Sequence, residues 1–290
     1  MALYTLNEPK GLVSPTIVAA LDGWIDAGSA STTAAEYLAE GGDVVATFDA
    51  DSLFDFRSRR PTLDIVDGRP HELSWPELVM RRSRFGDRNL LVLSGAEPDF
   101  RWRGFAAAII DLVKQLGVRE WISMGAIPAA VPHTRPVPII GTASADGLLK
   151  GDVRPGPQGR LRVPSAALSV LEMSVAAAGT PALGYYAQVP HYVSGPYPAA
   201  GLELLAAVTR HLGIDVPTGA LAGEAQEMRT RLDLATASDS TTKSYVERLE
   251  AMVDEQRLPT GDELISDIER FLRDRGAEGR SGEGRPPRPN

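Results

Sequence analysis

The 290-residue chain contains no cysteine. That excludes disulfides, thiolate nucleophiles, cysteine-ligated zinc and iron–sulfur clusters. Histidine is scarce, at four residues, and no HExxH pair occurs, so no metal site is expected. No apolar run reaches the roughly 18–20 residues that span a bilayer. The first residues, MALYTLNEPK, lack the basic stretch and apolar core of a signal peptide, so a cytoplasmic protein without membrane contact is expected. Lys and Arg number 30 against 38 Asp and Glu, a formal net charge of −8. Such a chain has no global attraction to nucleic acid or anionic lipid, and neither is expected as a partner. Several catalytic signatures are missing: the GxGxxG fingerprint, the Gly-Lys-Ser/Thr of a P-loop and the GxSxG elbow.

What is present alternates between two periods. Thr16 to Leu21, Val44 to Phe48, Leu90 to Leu93, Trp121 to Met124, Val137 to Ala143 and Ala182 to Val189 read as strands, the most apolar of them as buried ones. Helical patterns separate them: Ser29 to Glu40, stopped by Gly41-Gly42; Trp102 to Leu116; Ser165 to Ala178; and Ala199 to Leu212. The clearest places Trp102, Phe105, Ala106, Ile109, Leu112, Val113 and Leu116 on one stripe, closed by Gly117. Strands alternating with helices predict a mostly parallel sheet covered on both faces. Asp49 to Pro61 reads as irregular, and Lys150 to Arg160 as exposed and turn-rich. Thr62 to Val66 and Glu77 to Arg84 read as strands of a hairpin or meander.

Beyond Pro217 the strand signal stops. Gly219 to Leu234 reads as a helix and Thr236 to Thr242 as a polar hinge. Two apolar stripes follow, Tyr245, Leu249, Met252 and Val253, then Leu264, Ile265, Ile268, Phe271 and Leu272. With the turn Pro259-Thr260-Gly261 between them they predict a helical hairpin. The expected organisation is an α/β domain over 1–216, a helical extension over 217–275 and a disordered tail over 276–290.

Four loops follow predicted strands: Asp22 to Ser29, Glu97 to Trp102, Pro128 to Arg135 and Pro190 to Ser194. In an open α/β sheet ligands bind outside the carboxyl ends of the strands, so parallel strands would bring these loops together. The ligand-binding candidates are Asp22, Trp24, Asp26, Gly28, Ser29, Glu97, Arg101, His133, Arg135, His191 and Tyr192. Ser29 opens a hydroxyl-rich helix, whose free N–H groups could hold an anion; the simpler role is a cap. Glu97 could hold a ribose or move a proton, tuned by a nearby arginine, or it could simply pair with one. Pro128, Pro132, Pro136 and Pro138 present His133 and Arg135 on a stiff backbone. Arg57, Arg59 and Arg60 form a compact basic cluster that could meet a phosphate or an acidic partner, or pair within the chain.

Read together, DGWIDAGSA at 22–30, LFDFRSRRP at 53–61, GAEPDFRW at 95–102, GAIPAAVPHTRPVPI at 125–139 and VPHYVSGPYP at 189–198 resemble the proteasome assembly chaperone two family, in its actinobacterial branch. The resemblance covers residues 5–275. It implies a three-layer α/β/α fold of the nucleoside phosphorylase/hydrolase kind with a C-terminal helical extension. It also implies self-association, with a trimer as the expected assembly, and a protein partner of the proteasome-subunit class. It supplies no catalytic residue and no cofactor. Two functions stand as expectations. One is a cytoplasmic interaction or assembly factor. The alternative is a phosphorylase/hydrolase-like enzyme, or a nucleoside- or phosphate-binding protein, using the crevice at the strand ends.

Overall fold

Successive residues of a strand point to opposite sides, so a strand apolar throughout must be covered twice. The computed structural model, which describes residues 2–257 except 8, 10, 152 and 158, meets that requirement. Its elements, in chain order, are β1 (Tyr4–Leu6), β2 (Thr16–Asp22), α1 (Ala30–Ala39), β3 (Asp43–Phe48), α2 (Ala50–Leu53), β4 (Thr62–Val66), β5 (Arg69–Ser74), β6 (Leu78–Phe85), β7 (Arg88–Ala96), α3 (Trp102–Gln115), β8 (Glu120–Ala129), β9 (Ile139–Ala143), β10 (Arg154–Pro155), α4 (Ala167–Ala177), β11 (Ala182–Pro190), α5 (Pro198–Leu212), α6 (Gly219–Ser238) and α7 (Ser240–Arg257).

Nine strands form one sheet in the order β1-β3-β6-β7-β2-β8-β11-β9-β10. The centre, β7-β2-β8-β11, is parallel. Antiparallel pairs extend one side, β6–β7 among them a hairpin, and β9 runs antiparallel to β11 on the other. In β2, Ile17, Ala19 and Leu21 face a core shared with α3 and α4, while Val18 and Ala20 face a second core shared with α1 and α5. The same alternation splits Leu91 and Leu93 from Leu90 and Val92 in β7. The result is a three-layer α/β/α fold with a C-terminal helical extension. Trp121 is fully buried, and its indole N–H donates to Ser123 Oγ at 2.8 Å, which removes the cost of an unpaired donor. Among the described residues no helix is long and apolar enough to cross a membrane.

Three local expectations change. Thr62–Val66 does not pair with 77–84. It folds back on Arg69–Ser74 as a separate hairpin, across Asp67 (φ 51°) and Gly68 (φ 75°). Asp-Gly at two successive positive-φ positions is a strong tight-turn signal, but the polar, proline-bearing second strand obscured it. The stretch from Asp49 holds a short helix, α2. The polar hinge contracts to one extended residue, Asp239, whose carboxylate accepts from the N–H groups of Thr241 and Thr242 at 3.1 Å each and starts α7. In α7 the buried stripe contains Val246 and Leu249, while Met252 is exposed. The second stripe (Leu264, Ile265, Ile268, Phe271 and Leu272), the turn Pro259-Thr260-Gly261 and the tail 276–290 lie outside the described residues.

At the amino end of the central strands a buried network joins α5 to the sheet. His211 Nε2 donates to Glu120 Oε2 (3.3 Å), so Nδ1 is left to accept the Tyr185 hydroxyl (2.7 Å). Glu120 also accepts from Thr16 Oγ1 (2.9 Å) and from Arg119 Nη2 (2.7 Å). These donors, His211 first, overcome burial and hold the Glu120 carboxyl at about 2, well below the usual 4.5. A carboxylate with a depressed native pKa stabilises the fold above its unfolded pKa, and the gain is lost as pH falls through the native value. Glu120→Gln should therefore cost about 2 kcal/mol at neutral pH. It should also flatten the loss of stability between pH 4.5 and about 2. Urea denaturation across that range checks this; an acid limb as steep as that of the wild type refutes it.

Candidate functional site

Because β7, β2, β8 and β11 are parallel, their carboxyl ends share one rim, and the four loops meet there. Main-chain bonds tie the loops together. Glu97 N–H donates to Asp22 O (3.0 Å), Ala126 N–H to Ile25 O (2.6 Å), His191 N–H to Ala129 O (3.1 Å) and Tyr197 N–H to Gly28 O (2.8 Å).

Glu97 is the knot on one side of the rim. Its Oε2 accepts Trp24 N–H (3.1 Å), and its Oε1 accepts Ala167 N–H (2.6 Å), the first residue of α4. One carboxylate thus joins the ends of β2 and β7 and satisfies an otherwise orphaned donor of a helix start. A Cβ on Gly23 would lie 2.3 Å from Glu97 Oε2, so only glycine admits this approach. Trp24, held by its backbone, leaves its side chain in solvent, 66% exposed. Asp22 is exposed and meets Arg59 Nη1 at 3.3 Å. That partly resolves the basic cluster, since Arg57 and Arg60 remain exposed.

In the middle of the rim the structure reassigns a role. Ser29 (φ 50°) makes no side-chain capping bond to α1. Asp26 does the capping instead. Its Oδ1 accepts from Ser31 N–H (2.7 Å), Ser31 Oγ (2.6 Å) and Thr32 N–H (3.3 Å), and its Oδ2 accepts from Thr32 Oγ1 (2.5 Å). The N–H groups of Ser31 and Thr32, which an exogenous anion would need, are therefore already taken by a carboxylate. Gly28 turns the chain at φ 65°, and a Cβ there would come within 2.8 Å of Tyr197 Cβ. A cleft of about 570 Å³ opens beside this segment, lined by Asp22, Ser29, Thr32, Glu36, Glu77 and Ser94 among others.

The third part of the rim is covered by the chain's own C-terminal helices. His133 is buried. Its Nδ1 lies 2.7 Å from Tyr192 Oη, which also accepts the His133 N–H at 2.7 Å. Its Nε2 faces Asp233 of α6 at 3.2 Å. Burial pushes the His133 pKa down, against the pull of Asp233, so the ring is neutral at pH 7 and donates through Nε2. Arg135 makes a two-pronged contact with Asp254 of α7 (Nε–Oδ1 3.0 Å, Nη2–Oδ2 2.6 Å), and its Nη1 meets Glu250 Oε1 at 3.3 Å. Thr134 Oγ1 donates to the same Glu250 oxygen. His191 donates through Nδ1 to Ala129 O (3.0 Å) and accepts the Tyr245 hydroxyl at Nε2 (3.1 Å). The rings of His191, Tyr192 and Tyr245 stack edge to face at 5.7–6.3 Å between centroids.

Of the candidate residues, Arg101 stands apart, exposed at the start of α3 with φ 57°. The residues that complete the rim, Asp233, Tyr245, Glu250 and Asp254, lie about a hundred or more positions from Thr134 and Arg135, or 54 from His191 in the case of Tyr245. No local spacing marks them. The one available hint was the acidic, tyrosine-bearing face of the last described helix.

A model of the PAC2 family matches residues 20–235. A protein of unknown function from Corynebacterium glutamicum is 33% identical, with a TM-score of 0.81 over 88% of this chain and 98% of that one. A proteasome-assembly chaperone homologue from Mycobacterium tuberculosis is also 33% identical, with a TM-score of 0.73 over 80% of this chain and 99% of its own. An archaeal proteasome activator from Pyrococcus furiosus shares the fold at 19% identity, with a TM-score of 0.65 over 82% of this chain and 100% of that one. No curated protein matches the chain.

Glu97→Ala should destabilise the protein by about 2–3 kcal/mol, because it leaves two N–H groups of the rim without their charged acceptor. Chemical denaturation measures this, and a change within about 0.5 kcal/mol, the range of ordinary surface substitutions, would show that the knot carries no weight. Arg135→Ala should speed amide exchange several-fold across 240–257 and leave β2 and β8 unchanged. Equal protection of α7 in both proteins would contradict the contacts described.

Proposed function

Since the chain belongs to the PAC2 family, we propose that it is an assembly factor that works by holding other protein chains. The observation that carries this reading is how the rim uses its polar groups. Glu97, Asp26, His133, Arg135, His191 and Tyr192, the side chains best suited to chemistry, each bond to another part of the same chain. Here they brace the scaffold.

The exposed surface supports the same reading. Trp24 and Phe100 project from the rim loops, and the β4–β5 hairpin exposes Leu63, Ile65, Val66 and Leu73, with Trp75 at its end. A two-stranded hairpin is marginal in water by itself, and large apolar side chains left outside mark contact surfaces. We take the partner to be of the proteasome-subunit class, in line with the proteasome-assembly chaperone homologue of Mycobacterium tuberculosis, and the working form to be a homo-oligomer, with a trimer as the expected assembly. The cysteine-free composition supports a cytoplasmic setting.

Affinity purification of the full chain from its native cell should recover proteasome subunits. Ile65→Asp with Leu73→Asp should abolish recovery and leave the thermal midpoint of the isolated protein within about 2 °C. Thermal-shift measurements with phosphate, nucleosides and nucleotides address the enzymatic alternative. A ligand at 100 times its Kd would add about 2.7 kcal/mol. Such a shift, together with a failure to recover any proteasome subunit, would overturn the assembly-factor reading.

A further inference from the structure

The contact between the rim and α7 has the form of a receptor with its ligand. The receptor side comes from two loops at the ends of β8 and β11: Thr134, Arg135, His191 and Tyr192. The ligand side is a single helix, on which Tyr245 and Asp254 flank opposite edges of the packed side and Val246, Leu249 and Glu250 lie between them. Tyr245 delivers a hydroxyl to His191, Glu250 accepts from Thr134 and Arg135, and Asp254 takes the two-pronged guanidinium contact. Every polar contact runs from one complementary group to another, a cation to carboxylates and a hydroxyl to an imidazole nitrogen. Bidentate geometry on Arg135 sets the angle as well as the distance of the incoming helix.

What fastens this helix to the rest is modest. Val246 and Leu249 are its fully buried side chains among those described. In α6, which connects it to the domain, Leu221 alone among the described residues is buried. The break between the two helices is the single extended residue Asp239, capped by its own bonds to α7. Lifting α7 therefore disrupts few apolar contacts. It exposes a cationic and aromatic seat whose geometry stays fixed by bonds within the rim, His133 N–H to Tyr192 Oη and His191 Nδ1 to Ala129 O.

We infer that this seat is a docking site for a helix of a partner protein, one carrying a tyrosine followed at five and nine residues by carboxylates, and that α7 occupies it in cis until such a helix displaces it. This rests on the interaction reading above and specifies one partner chemistry for it. The argument for the occupant is charge and hydrogen-bond complementarity, displayed by α7 itself. A tethered occupant lowers the apparent affinity for a free one by the fraction of time the seat is vacant, so the site binds partners only when they outcompete the arm.

The probe is a synthetic peptide of residues 240–257, added to full-length protein. Tyr245→Ala with Asp254→Ala in the protein weakens the cis contact and leaves the seat intact. That variant should bind the peptide saturably at one per chain, at least about tenfold tighter than the wild-type chain does. Adding Arg135→Ala should abolish binding. A charge exchange separates recognition from folding: a chain with Arg135→Glu should prefer a peptide carrying Glu250→Lys and Asp254→Lys over the native one. Absence of binding to the arm-weakened protein, or binding indifferent to residue 135, overturns the inference. So does wild-type protein that forms oligomers lost on Tyr245→Ala with Asp254→Ala, since the occupant would then be a second copy. Peptide binding with no proteasome subunit recovered would uphold the seat and reject only the proteasome class of partner.

Discussion

Four parallel strands ending at one edge impose a constraint that organises the rest of the molecule. Each strand delivers backbone groups and a loop to the same narrow rim, and a buried N–H or C=O without a partner costs about as much as a lost hydrogen bond. Those groups have to be met by something. In this protein many are met from within, while a cleft of about 570 Å³ stays open beside α1. Asp26 takes the amides of the α1 start, Glu97 takes those of Trp24 and Ala167, and the loop after β11 is tied back to Ala129 and Gly28. The architecture that elsewhere leaves a crevice for a small ligand becomes, by these few carboxylates, a braced platform.

That difference decides which functional reading the geometry favours. Catalysis requires groups placed toward a reacting atom and held there by supporting hydrogen bonds. Recognition of another chain requires a stiff frame, exposed apolar side chains and polar groups that set register. The rim and the β4–β5 hairpin offer the second set. The hairpin keeps polar and acidic groups on one side, Asp64 opposite Glu72, while Leu63 pairs with Leu73 on the other, so its apolar side faces solvent without a covering layer.

The C-terminal helices show burial and charge holding one element together. Leu221, Val246 and Leu249 are buried and Met228 and Leu232 pack against the core, while Asp233, Glu250 and Asp254 meet His133, Thr134 and Arg135. Isolated surface ion pairs are worth little. A two-pronged arginine contact joined to a histidine–tyrosine network has fixed geometry, and that converts weak terms into orientation. The same feature leaves the arm open to competition, because a foreign helix can supply the same groups.

Much of this was legible in the chain itself. The apolar runs at 16–21, 90–93, 121–124 and 182–189 and the stripe from Trp102 to Leu116 determined the alternating architecture. Burial on both faces favours apolar residues throughout a strand, and the few polar ones there, such as Ser123, are paired. The loops after those runs were legible as one rim for the same reason, since parallel strands have a common end. The capping role of Asp26 rather than Ser29 was not, because it depends on a backbone twist at Gly28 and Ser29 that puts the serine side chain out of reach. The partners of His133, Arg135 and His191 were beyond any local pattern. They come from helices 54 to 119 residues further along. Only the path of the folded chain, carrying α6 and α7 back across the strand ends, decides which carboxylate meets which cation.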